Sequence, residues 1–156
     1  MISDRSRLES ILWISDFHHF HYLLTVSCIL WYNIFKHDTA RNIEDSIVHE
    51  HIEIGNKTPN GPVTYVLDES GNIIIGKRNN PINPDKRSPH PMLIGGKNPQ
   101  VQCAGMITFK AGKITSIDNQ SGHFRPNIKS MDKVYSALHK LYETNPELFS
   151  QSFKWR

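Results

Sequence analysis

With 156 residues, the chain is long enough for one domain with a self-sufficient hydrophobic core. Its formal net charge of +3 is a mild basicity that permits a nucleic-acid or nucleotide partner without demanding one. Two cysteines, Cys28 and Cys103, exclude a disulfide-dense scaffold and a zinc-type cysteine spacing; both sit in apolar stretches and read as buried free thiols, which fits a reducing, cytoplasmic compartment.

Met1–Glu9 is polar and carries both charge signs, so it does not read as a secretory leader. Leu8, Ile11, Leu12 and Ile14 are spaced as on a helix over residues 4–16. Phe17–Phe35 carries no Lys, Arg, Asp or Glu, but its dense part, from Tyr22 to Phe35, falls short of the roughly 20 residues a membrane span needs. A buried helix over 20–36 is expected there, and a membrane partner is disfavoured. Residues 37–47 read as a short polar helix. Residues 1–50 thus form a helical N-terminal segment, packed on or docking to a domain over 51–156.

From Val48 the pattern changes. Val48, Ile52 and Ile54 alternate with His49, His51 and Glu53, which predicts a short strand over 48–54. Val63–Asp68 and Ile73–Arg78 flank Glu69-Ser70-Gly71-Asn72, a hairpin signal. Asn79–Pro91 is a proline-rich loop of the length that often carries function. A second hairpin is expected from Val101–Phe109 and Lys113–Asp118, with Lys110-Ala111-Gly112 at its tip. A helix from about Ile128 to Tyr142 presents Met131, Val134, Leu138, Leu141 and Tyr142 on one face and stops before Asn145-Pro146. Glu147–Trp155 could add an edge strand. The sum is an α+β fold: N-terminal helices, then antiparallel β-hairpins, then one covering C-terminal helix.

Two histidines stand in rigid frames, Pro89-His90-Pro91 and Ser121-Gly122-His123-Phe124-Arg125-Pro126. His90 precedes the second hairpin and His123 follows it, and an antiparallel hairpin returns its ends to one edge. The two rings are therefore expected to be neighbours, able to serve as general base and general acid. Arg125 could stabilise a phosphate through paired donors. Lys77 and Lys97 could add charge, and Ser121 with the Gly95 and Gly96 amides could hydrogen-bond a phosphate or an oxyanion. The alternative is that both histidines only cap turns. His49-x-His51 would face one side of a strand and His18/His21 one side of a helix, but neither pair belongs to a metal motif, and no metal site is expected.

The runs Ile75-Gly76-Lys77-Arg78, His90 through Met106, Gly112-Lys113-Ile114 and Ser116 through Pro126 resemble the C-terminal toxin modules of bacterial polymorphic toxins, including Rhs-type proteins. A histidine, a Gly-Gly, an Ala-Gly and a Ser-Gly-His-aromatic-x-Pro in this order are also similar to the C-terminal domain of plant IQ-motif calmodulin-binding proteins. The resemblance covers roughly residues 60–145. Phe124 stands where tyrosine is common in the look-alikes. The likeness implies an effector delivered into a target cell, acting on RNA or on a host protein, with room for a cognate inhibitor protein. Three readings follow. The first is metal-independent RNA cleavage by His90 and His123, needing no cofactor. The second is ADP-ribosyl or nucleotidyl transfer to a protein from NAD or ATP, with Asp118, Glu143 or Glu147 as the carboxylate. The third is a non-catalytic protein-binding module.

Overall fold

The computed structural model describes residues 36–79 and 89–156. The helices expected over 4–16 and 20–36, and with them His18, His19, His21 and Cys28, lie outside the described residues. The rest is an α+β fold: antiparallel strands, one C-terminal helix and short 3-10 turns.

Among the described residues seven strands occur: β1 (Arg41–Asn42), β2 (Ile47–Val48), β3 (His51–Ile52), β4 (Gly61–Asp68), β5 (Ile73–Gly76), β6 (Val101–Lys110) and β7 (Lys113–Ile117). Five of them form an antiparallel sheet in the order β1-β5-β4-β6-β7, and β2 pairs with β3 alone. Both predicted hairpins are present. The β4–β5 turn closes because Asp68 accepts hydrogen bonds from the Asn72 backbone N–H at 2.8 Å and the Asn72 side-chain amide at 3.0 Å. The β6–β7 turn places Ala111 and Gly112 at φ +51° and +74°, the type I′ pattern that matches strand twist.

The N-terminal boundary differs from expectation. Residues 37–47 are not a helix. They form β1 and a 3-10 turn over Glu44–Ser46, in which Asn42 Oδ1 accepts the Glu44 N–H and Ser46 Oγ donates to the Asn42 carbonyl. Such side-chain bonds to backbone compete with helix formation. Because β1 pairs with β5, the sheet reaches back across residue 50. The strand expected over 48–54 is broken by a turn at His49, whose φ is +55°, so β2 and β3 fold back on each other. His49 therefore sits in the turn and His51 on the return strand, 3.3 Å from Glu53, and the expected one-sided pair does not form.

The sheet has two covered faces. Val63, Tyr65 and Leu67 of β4, Ile73 and Ile75 of β5, and Cys103, Ile107 and Phe109 of β6 pack against the helix. The helix α1 (Met131–Thr144) contributes Met131, Val134, Leu138 and Leu141 at helical spacing. Each such side chain stabilises the fold by about 1.5–3 kcal/mol relative to exposure. Tyr142 stays 42 % exposed, at the rim of an aromatic cluster with Phe149 and Trp155. Pro146 ends the helix. Residues 147–155 do not form a strand: a single parallel bridge joins Phe149 to Ile114.

The alternate positions, Val66, Ile74 and Ala104, face the other way and meet Leu93, Ala40 and Phe124. That second, thinner layer is where the 3-10 turn His90–Leu93 and the 121–126 turn lie, and it carries the site. Buried His37 ties it down. Its backbone N–H donates to the Met92 carbonyl at 2.7 Å, and its Nε2 donates to the Asn79 carbonyl at 3.1 Å, with Nδ1 accepting from Thr39. Among the described residues no helix is long and apolar enough to cross a membrane. Cys103 is a buried free thiol.

Candidate functional site

His90 and His123 line one cavity of about 360 Å³, together with Thr64, Arg78, Met106 and Gln120. The meeting point is not the end of the hairpin. β6 has ten residues and β7 only five. The chain therefore leaves β7 beside the middle of β6, and His90 reaches the same place, its Nε2 donating to the Gly105 carbonyl at 2.9 Å.

A close crossing fixes this geometry. Past Ile117 the backbone runs against Gly105, where the Asp118 carbonyl lies 2.1 Å from the place a Cβ would occupy. Only glycine lets two backbones approach so nearly. Four bonds hold the crossing, one of them from the Asp118 N–H to the Met106 carbonyl at 2.9 Å. The Tyr65 hydroxyl donates to the Asp118 carbonyl at 2.6 Å, and Asp118 Oδ1 accepts the Met106 N–H at 2.9 Å and the Gln120 N–H at 2.8 Å. Burial pushes the Tyr65 phenol far above its usual value, so it is a fixed donor. Gln120 and His123 are thus aimed from an anchored segment.

The two imidazoles differ in environment. His90 is 9 % exposed, whereas His123 is open to solvent and sits edge-on to Phe124, ring centroids 5.0 Å apart. Burial lowers the His90 pKa from its ordinary value; the Gly105 bond and the Asp118 charge oppose this, and the charge of His123 adds to it. Since Gly105 offers only an acceptor, the proton of neutral His90 is on Nε2 and its lone pair on Nδ1. A buried imidazole that folds neutral makes stability depend on pH. Its contribution is fully present above about pH 6.5, the unfolded value, and is lost as pH falls through the depressed folded value. Thermal melts from pH 8 to pH 5 should show the melting temperature dropping on acidification, and dropping less in His90→Gln. Equal pH dependence in the two proteins would contradict the assignment.

The other expected site residues are dispersed. The Arg125 side chain turns back to donate from Nε to the Gly122 carbonyl at 3.2 Å, its backbone at φ +45°, and it does not line the cavity. Ser121 is buried and its Oγ accepts the Phe124 N–H, closing the turn. The Gly95 N–H donates to the Pro91 carbonyl, while Gly96 and Lys97 are exposed beyond it. Lys77 lies one residue from the cavity and lines a neighbouring hollow. Among the described residues the cation that lines the histidine cavity is Arg78, whose signal was its place in the Lys77-Arg78 pair; Thr64 and Met106 gave none, being indistinguishable from ordinary strand residues. Among the described residues no group of three or more His, Cys, Asp or Glu side chains is placed to hold a metal ion. Comparisons with protein-family models, curated proteins and solved structures give no match.

Proposed function

We propose that the chain is a ribonucleolytic effector of the polymorphic-toxin kind, with His90 as general base and His123 as general acid. The observation that carries this reading is the sharing of one cavity, lined also by Arg78, by two imidazoles in unlike environments. Neutral His90 accepts the proton of a ribose 2′-hydroxyl as that oxygen attacks the adjacent phosphorus. His123 in its protonated form gives a proton to the departing 5′-oxygen. Charge on the phosphorane falls to Arg78, in the place that the sequence pattern offered to Arg125. The products are a 2′,3′-cyclic phosphate and a 5′-hydroxyl end. The substrate supplies its own nucleophile, so the protein needs only to position groups and move protons.

Transfer from NAD or ATP has less to support it. Asp118 spends Oδ1 on two backbone amides, and neither Glu143 nor Glu147 lines the cavity. The test is purified full-length chain with single-stranded RNA in chelator. Cyclic-phosphate and 5′-hydroxyl ends are expected, with 2′-O-methyl RNA left whole. Intact RNA at micromolar protein, or equal cleavage of both substrates, would overturn the reading.

A further inference from the structure

The histidine cavity does not stop at Arg78. The same residue lines a second hollow of about 280 Å³, whose walls include Lys57, Lys77, Pro59 and Pro62. Among the described residues no carboxylate lines either hollow. Among the described residues the side chains within ion-pair distance of a carboxylate are His37, beside Asp38, and His51, beside Glu53, so Lys57, Lys77 and Arg78 carry charge that no acidic side chain there neutralises. Lys77 is anchored through its backbone. Its backbone N–H donates to Thr39 Oγ1 at 3.0 Å, and its ammonium rests over Gly55, where a side chain would crowd it. Gathering cations around one concavity is unfavourable unless an anion joins them.

We infer that the second hollow is a subsite for the phosphate flanking the cleaved one in single-stranded RNA, with Arg78 between the two phosphates and Lys57 and Lys77 on the outer one. The inference rests on the ribonucleolytic reading and narrows its substrate to a polymer: a dinucleoside monophosphate fills the histidine cavity alone, and a longer strand fills both. Polymer binding should then carry a salt dependence set by the number of phosphates engaged.

The experiment uses the full chain, wild type and Lys57→Ala/Lys77→Ala. Fluorescence anisotropy is read with a labelled 2′-O-methyl decamer, which cannot be cleaved, and with a dinucleoside monophosphate carrying the same label. The double variant should bind the decamer about tenfold more weakly, with the slope of log K against log salt shallower by about 1.4, two contacts at roughly 0.7 each. Its affinity for the dinucleotide and its melting temperature should be unchanged. Unaltered decamer affinity, or equal weakening for both ligands, would overturn the subsite. Loss of decamer affinity in the variant beside intact RNA in the wild type would keep the subsite and remove the cleavage reading.

Discussion

Replacing His123 by alanine is expected to slow RNA cleavage by about 10²–10⁴-fold, the contribution of a positioned general acid. The ring is exposed and packs only edge-on against Phe124, so the melting temperature should hardly move. The same substitution at His90 should slow cleavage as much, and should also destabilise the fold by about 1–3 kcal/mol, because the Gly105 carbonyl loses its buried donor. The roles can be separated with a substrate whose leaving group needs no proton, such as a uridine 3′-(nitrophenyl phosphate). His123→Ala should recover most of its activity on it, and His90→Gln should not. Equal deficits would mean that the two imidazoles do not divide the work as base and acid. The depressed pKa of His90 adds a second readout. The acid limb of kcat/KM should lie below about pH 6.5 and move lower still in Asp118→Asn, which removes the charge that opposes the depression.

Gly105→Ala should be the most damaging single methyl in the structure. Its Cβ would meet the Asp118 carbonyl oxygen and carbon and the Asn119 Cα, all backbone atoms within 2.8 Å. No side chain can rotate away, so either β6 or the 118–120 segment must shift. Overpacking costs about 1–3 kcal/mol in yielding sites and more in rigid ones. The value here should reach about 3 kcal/mol, lowering the melting temperature by about 10 °C. Activity should fall further than stability alone explains, since the displaced segment leads directly to His123. Gly76→Ala makes the comparison: its new methyl would press chiefly on Leu93 Cδ2, the end of a side chain that can move, and the loss should be smaller. A Gly105→Ala protein as stable as wild type would contradict the close crossing.

The hairpins were legible because each turn carries a glycine between strand-forming runs. Gly71-Asn72 and Ala111-Gly112 each sit between alternating apolar runs, and both closed as expected. The convergence of His90 and His123 was legible from their places before and after the second hairpin, though the route was not. Hairpin symmetry suggested a meeting at the strand ends, whereas unequal strand lengths bring them together over the middle of β6. Which cation joins them was illegible. Arg125 and Arg78 look alike in a sequence, and what separates them is a backbone φ of +45° that turns one away, plus the position of β5 that delivers the other. The first strand was illegible for a related reason. Two residues, Arg41 and Asn42, are too few to show periodicity, and their strand exists because β5 offers them an edge.

The stretch from His90 to His123 has one long-range dependency with a temporal side. The β6–β7 turn closes between neighbours in the chain and can form early, but Tyr65, the donor that pins Asp118, arrives from β4, more than fifty positions upstream. Until β4 zips onto β6 the segment bearing His123 has no anchor. The appearance of activity during refolding should therefore follow the pairing of sequence-distant strands rather than local hairpin closure, and amide protection at Met106 should rise at the same rate as turnover.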